Sequence, residues 1–216
     1  MKDTTLFLIR HGETASNVDG VWQGGQGDDP LNKRGRVQSL AVATYLTQHL
    51  PIGALYTSDL RRAVETAEII GEGLKLPVQM HAGLREYNFG ALEGSTTTEV
   101  IAKWQALLDR WRTDPSVRPP GGESAIDFAM RVGGALQEII AHHQAERAAV
   151  VAHGGSLSVG LAVLLGELDK WRAYQMSNCG VTIVTMRPNP TVIAFDETSH
   201  LLDIGTAIWD GADASV

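Results

Sequence analysis

Two short apolar segments of the chain each end in a histidine followed by glycine, and this repetition constrains the fold more than any other feature. The first, Thr4–Ile9, leads through one arginine into His11, and the second, Ala148–Ala152, leads directly into His153. Short β-prone apolar runs of this kind predict buried strands of a parallel sheet. Because ligands of open α/β sheets bind at the carboxyl ends of the strands, we expect the two histidines to lie at one site. The glycine after each histidine, Gly12 and Gly154, is expected to let the backbone come close to a ligand, with N–H groups free to face an anion.

The hydrophobic pattern of the rest of the chain alternates between strand and helix periods, which predicts one α/β domain over residues 1–216. Ser58 is placed to cap a helix that ends near Gly71, and Ser124 with Asp127 forms a capping-box pattern. Helices are predicted over 40–50, 58–71, 98–111, 124–143 and 156–165, and strands over 52–57, 78–80, 181–186 and 191–195, the last two as a hairpin. No repeat or linker divides the chain, and 211–216 is expected to be a loose tail.

Charge and cysteine content exclude several classes of protein. The 216 residues carry 18 Lys+Arg against 25 Asp+Glu, a net charge of −7 without a basic run, so neither a nucleic acid nor a membrane is expected as a partner. The single cysteine, Cys179, excludes an internal disulfide and is expected to be inert. The apolar stretch Leu6–Ile9 is too short for a signal segment or a membrane span, and we expect a cytoplasmic protein.

Residues around the two histidines suit the chemistry of phosphoryl transfer. Arg10 precedes His11, and Arg61 and Arg62 open the second predicted helix, where only one of two neighbours can face a pocket. Transfer through histidine needs a neutral imidazole, cations on the phosphoryl oxygens and an acid for the leaving alkoxide. Glu13 and Glu86 are both candidates for that acid. Either histidine alone is more often a satisfied core residue, but the pair favours a site.

The chain resembles the histidine phosphatase superfamily, which includes cofactor-dependent phosphoglycerate mutase, over nearly its whole length. The ordered motifs are LFLIRHGETASN, QG followed by DDPLNKRGRVQ, TSDLRRAVETA, LREYNFGALEG, GGES and VVAHGGSL. The resemblance implies a three-layer αβα sandwich with a mostly parallel central sheet.

The resemblance also implies residue roles. His11 would be phosphorylated transiently, with Arg10, Arg62 and His153 binding the phosphoryl group. Glu86 would act as general acid and then as the base that activates water, whereas Glu13 would have a local structural role. The residues expected to contact the phosphate or the substrate are Asn17, Gln23, Gly24 and Gly154.

Three departures from the mutases favour the phosphatase branch. The segment Gly94–Gly121 is short, Gly155 replaces their usual asparagine, and Gln23 is a residue that they lack. A short cap over residues 95–120 would let water reach the phosphohistidine. We therefore expect a phosphatase, with a cofactor-dependent phosphoglycerate mutase as the alternative. A binding domain without turnover is disfavoured because His11, Arg62, Glu86 and His153 are all present, and a protein phosphohistidine phosphatase because such relatives lack a cap.

The substrate stays open among small phosphorylated metabolites: a sugar phosphate, a phosphoglycerate, phosphoserine or a nucleoside-type phosphate. Its recognition is expected from side chains of residues 95–120. No metal and no cofactor are expected, because arginines and histidine supply the positive charge, and a homodimer is compatible with the sequence. Three aromatic residues either line the site or belong to the core (Trp22, Tyr87 and Phe89), whereas Trp104 and Trp111 fit the core better.

Overall fold

Six strands form one sheet in the computed structural model, which describes residues 4–49, 51–144, 146–186 and 188–202. The strands are β1 (Thr5–Arg10), β2 (Ala54–Thr57), β3 (Val78–Met80), β4 (Arg147–Ala152), β5 (Val181–Thr185) and β6 (Thr191–Glu197). Their order is β3-β2-β4-β1-β5-β6. The first four are parallel, whereas β5 pairs antiparallel with both β1 and β6. The mostly parallel sheet and the antiparallel pair at its edge are both as predicted.

Helices cover both faces of this sheet. They are α1 (Ala15–Val18), α2 (Lys33–His49), α3 (Arg61–Leu74), α4 (Thr97–Thr113), α5 (Ala125–His142) and α6 (Gly154–Leu165). Alternate residues of β1 face opposite layers, as the period of a strand requires. Phe7 and Ile9 belong to the core cluster that contains the buried residues of α2 and α3, and Leu6 and Leu8 to the cluster that contains those of α4, α5 and α6. The predicted three-layer αβα sandwich is confirmed.

The predicted capping box of α5 is present. The Ser124 side chain accepts a hydrogen bond from the Asp127 backbone N–H, and the Asp127 carboxylate accepts from the Ser124 backbone N–H. Two free N–H groups of the first turn are thereby satisfied, which fixes where the helix begins.

Other local predictions were wrong at element ends. The N-cap of α3 is Leu60 rather than Ser58, and α2 begins at Lys33 rather than near Leu40. The short helix α1, which begins after a capping box at Thr14, was not among the predicted elements. α6 begins at Gly154 rather than at Ser156, with His153 as the N-cap between it and β4. The tail predicted over 211–216 lies outside the described residues. Among those described, no helix combines the length and the apolar character needed to cross a bilayer.

Candidate active site

The register of β1 and β4 brings the two histidines together. Arg10 is paired with Ala152 at the ends of these parallel strands, so the next residues, His11 and His153, emerge side by side. Their ring centroids are 5.2 Å apart, and both side chains are buried. The sheet therefore places two imidazoles at its carboxyl edge, as the sequence predicts.

His11 presents a neutral imidazole with a defined tautomer. Its Nδ1 lies 2.7 Å from the carbonyl oxygen of Gly12. A carbonyl only accepts, so Nδ1 carries the proton and Nε2 keeps a lone pair. Burial, followed by the charges of Arg62 and Arg10, lowers the pKa of His11 well below its usual range. The Nε2 atom is therefore available as a nucleophile at neutral pH.

His153 is held in the opposite tautomer. Its Nδ1 accepts a hydrogen bond of 3.1 Å from the Nε–H of Arg62, so the proton lies on Nε2. Nε2 donates to the hydroxyl of Ser58 at 2.8 Å. Burial and the charge of Arg62 lower the pKa of His153 well below its usual range. Ser58 is not the N-cap of α3 and instead orients one histidine of the site.

Arg62 lies within the cluster, and Arg61 lies outside it. Arg62 is only 1% exposed and donates to the carbonyl oxygens of Gly24 and Gly27, both at 2.8 Å. Arg61 instead forms an exposed ion pair with Glu65. Adjacent helical residues point about 100° apart, which explains why only one of the two reaches the site. These contacts tie the loop after Gln23 to the guanidinium.

Arg10 supplies a second cation with an unused donor. Its Nη1 donates to the Met176 carbonyl at 2.7 Å, while its buried Nε has no partner among the described residues. Burial lowers the pKa of both Arg10 and Arg62, although an arginine stays charged in a protein. A buried N–H without an acceptor is costly, so this donor is suited to an anionic ligand.

Glu86 faces the same space across the N-terminus of α6. Its Oε2 accepts from the Gly155 backbone N–H and its Oε1 from the Tyr87 N–H, both at 2.8 Å. A Cβ at position 155 would lie 2.4 Å from Oε1 of Glu86. Glycine at this position is therefore what allows the carboxylate to approach the helix.

Gly12 and Glu13 have structural contacts. The predicted role of Gly12, to bring its backbone close to a ligand with a free N–H, was wrong. Its N–H donates to Thr66, and a Cβ would lie 2.5 Å from the Gly35 carbonyl of α2. The Glu13 carboxylate accepts from Asn32 at 2.9 Å, and Glu13 does not line the cavity that opens beside the two histidines. Of the two acid candidates, Glu86 is therefore the one that faces the cavity.

A cavity of about 620 Å³ opens over this cluster. Arg10, His11, Arg62 and Glu86 form part of its wall, and His153 lies behind them. The other predicted binding residues that line it are Asn17, Gln23, Gly24 and Gly154. Trp22 and Phe89 line it too, whereas Tyr87 and Trp111 are buried in the core and Trp104 is partly buried against it.

The outer wall comes mostly from a segment that the sequence analysis did not single out. Of residues 95–120 only Thr97 lines the cavity, because α4 packs its apolar face against the core. The 3-10 turn Leu168–Ala173 and the residues after it contribute five lining residues: Trp171, Arg172, Tyr174, Gln175 and Met176. The sequence of this turn has no hydrophobic periodicity that would predict its position. Its place in the site is evident only from its packing on α6 in the structure.

Two further side chains support the site without having been predicted. Glu93 accepts backbone N–H bonds from Gly25, Gln26 and Phe89 at 2.9 to 3.1 Å, and burial raises its pKa. The Asn178 amide donates to the carbonyl of His11 at 2.9 Å. Glu93 lies in the motif LREYNFGALEG, and that resemblance was the signal available for it.

The fold and the site together define an α/β phosphoryl-transfer type of enzyme, with paired histidines and arginines at the carboxyl edge of a parallel sheet. Residues 6–195 match the family model of the histidine phosphatase superfamily (branch 1). The chain belongs to this superfamily.

Three relatives illustrate its range. A "metal-independent phosphoserine phosphatase" of Arabidopsis thaliana is 33% identical over 207 residues, 94% of this chain and 85% of the relative. A "probable phosphoglycerate mutase GpmB" of Escherichia fergusonii is 34% identical over 184 residues, 83% of each. The solved structure of a mycobacterial glucosyl-3-phosphoglycerate phosphatase with VO3 superposes with a TM-score of 0.80 at 32% identity, covering 89% of this chain and 98% of that one.

Proposed function

We propose that the chain is a metal-independent phosphomonoesterase that hydrolyses a small phosphorylated metabolite through a phosphohistidine on His11. The observation that carries this proposal is the state of His11, whose Nε2 lone pair faces a cavity that Arg10 and Arg62 also line. A neutral nucleophile between two cations is what attack on a phosphate dianion requires.

The first step transfers the phosphoryl group. Nε2 of His11 attacks phosphorus, the ester P–O bond breaks, and Glu86 gives its proton to the leaving alkoxide. Arg10 and Arg62 stabilise the charge on the equatorial oxygens, which is the work that a metal ion does in other phosphoryl-transfer sites. The unpartnered Nε–H of Arg10 gains an acceptor in this step.

The second step releases phosphate. The Glu86 carboxylate takes a proton from water, the oxygen attacks phosphorus, and the N–P bond breaks to leave inorganic phosphate and neutral His11. Water has a route to this point, because rim residues such as Gly20, Thr97 and Gln175 are exposed. An accessible phosphohistidine favours hydrolysis over return of the group to a substrate, which a mutase requires.

The experiment is a panel of phosphomonoesters assayed for phosphate release in EDTA, beside a coupled assay for conversion of 3- to 2-phosphoglycerate. We expect release with one compound far ahead, and no release by His11→Ala. His142→Ala is the control, since His142 is an exposed residue of α5. Isomerisation without release would identify a mutase instead. Activity that EDTA abolishes and Mg²⁺ restores would overturn the metal-independent mechanism.

A further inference from the structure

Arg172 is a cation in the cavity wall that the proposed phosphoryl chemistry does not use. It is exposed, and its guanidinium forms no ion pair with any described residue. Its side-chain hydrogen bond, from Nη2 to the Trp111 carbonyl, is 3.5 Å long and therefore weak. Most of its N–H donors are left without an acceptor in the part of the chain that the structure describes.

Packing holds this guanidinium in place despite its exposure. It lies over the ring of Trp171 at 4.9 Å and over that of Trp111 at 5.6 Å. The Ser158 hydroxyl donates to the Trp171 carbonyl and so ties the turn to α6, whose first residue is Gly154. Stacking on two indoles leaves the planar edge of the guanidinium open for a ligand.

The cavity wall carries more positive than negative charge. Arg10, Arg62 and Arg172 line it, and Glu86 is the only carboxylate among the described lining residues. A phosphoryl dianion at His11 would be matched by Arg10 and Arg62, which leaves Arg172 without a countercharge. A leaving group that extends toward the rim would meet this third cation.

We propose that Arg172 is a specificity-determining residue that binds a second anionic group on the leaving group of the substrate. The substrate class is then a phosphomonoester that also carries a carboxylate or a second phosphate, since the guanidinium fork fits both. This inference rests on the proposed function, because the site of phosphoryl transfer defines which end of the substrate reaches Arg172.

Two matched pairs of substrates test this proposal. Phosphoserine against phosphoethanolamine differs by a carboxylate, and fructose 1,6-bisphosphate against fructose 6-phosphate differs by a phosphate. We expect the wild type to prefer one or both anion-bearing members by at least about tenfold in kcat/KM, the effect of one charge-assisted hydrogen bond. The pair whose two members differ in kcat/KM shows whether Arg172 binds a carboxylate or a phosphate. Arg172→Gln should abolish the preference, with the loss of kcat/KM falling on the anion-bearing member of the discriminated pair and not on the partner that lacks this anion.

The control is Arg112→Gln, an exposed arginine nearby that does not line this cavity. It should keep the preference. Equal loss on all substrates in Arg172→Gln, or no preference in the wild type, would overturn the role of Arg172. Absence of phosphate release from every compound would instead overturn the proposed function, so the two failures are distinguishable. A purely structural role would lower the unfolding temperature without altering charge selectivity.

Discussion

The side chain of Glu86 occupies the space that a Cβ of residue 155 would fill, with Oε1 2.4 Å from that position. The carboxylate is held there by the Gly155 N–H at 2.8 Å. The acid of the proposed mechanism is thus placed by the absence of a neighbouring side chain as much as by a hydrogen bond.

Gly155→Ala should therefore displace Glu86 and lower kcat/KM by about a hundredfold, the cost of moving a reacting group by roughly 1 Å. Gly134→Ala is the matched control, because a Cβ at this helical position meets nothing within 4 Å. It should retain activity and gain about 0.5–1 kcal/mol in the free energy of unfolding. Steady-state kinetics and denaturant unfolding measure both, and full activity of Gly155→Ala would contradict the placement of Glu86.

Glu86→Gln should slow alkyl phosphates by about 10²–10⁴-fold and p-nitrophenyl phosphate much less, because only a poor leaving group needs the proton. Rates on the two esters, compared with Glu68→Gln on the exposed side of α3, provide the measurement. If Glu86→Gln cleaves an alkyl phosphate as fast as the wild type does, another group is the acid.

The strands, the helices and the histidine pair could be predicted because they depend on local periodicity and on one topological rule. Only the resemblance could predict that Arg62 rather than Arg61 faces the site. The two residues have the same chemistry, and which of them is buried depends on how the helix is rotated against the sheet. Gly12 was misjudged because its neighbour, the carbonyl of Gly35, is distant in sequence. Arg172 was missed for a similar reason, as the Ser158 contact that fixes its turn has no local signal.

Glu93 should prove to be a positioning residue for the loop that Arg62 holds. Glu93→Gln replaces an acceptor oxygen with a donor against three backbone N–H groups. We expect a loss of about 1–3 kcal/mol in unfolding free energy and weaker inhibition by inorganic phosphate. Calorimetry and inhibition kinetics, with Glu68→Gln as reference, check this. Lower stability with unchanged phosphate inhibition would restrict Glu93 to a folding role.

The stability of the protein should fall as the pH falls from about 6.5 toward 5. In the folded protein, His11 and His153 have pKa values well below the usual range of histidine. At a pH between these folded-state pKa values and the ordinary pKa, the unfolded chain therefore binds more protons than the folded protein does. Each histidine then contributes a slope of up to about 1.4 kcal/mol per pH unit. The folded state is favoured on the neutral side and loses this advantage in acid.

Denaturant unfolding at several pH values measures this slope. His153→Asn, which keeps an acceptor for Arg62, should remove the contribution of one histidine, up to about 1.4 kcal/mol per pH unit, from this slope. His142→Asn removes an exposed histidine and should leave the contributions of His11 and His153 unchanged. A wild-type stability that is flat over this range would show that the two imidazoles are not held neutral.

Arg62 is bound on three sides by the carbonyls of Gly24 and Gly27 and by the ring of His153. This long side chain therefore loses its conformational entropy when the chain folds, and substrate binding does not have to order it again. In the proposed mechanism, departure of phosphate would leave the guanidinium held by the same three contacts. Successive catalytic cycles can thus begin from the same arrangement, without a slow rearrangement between product release and the next binding event.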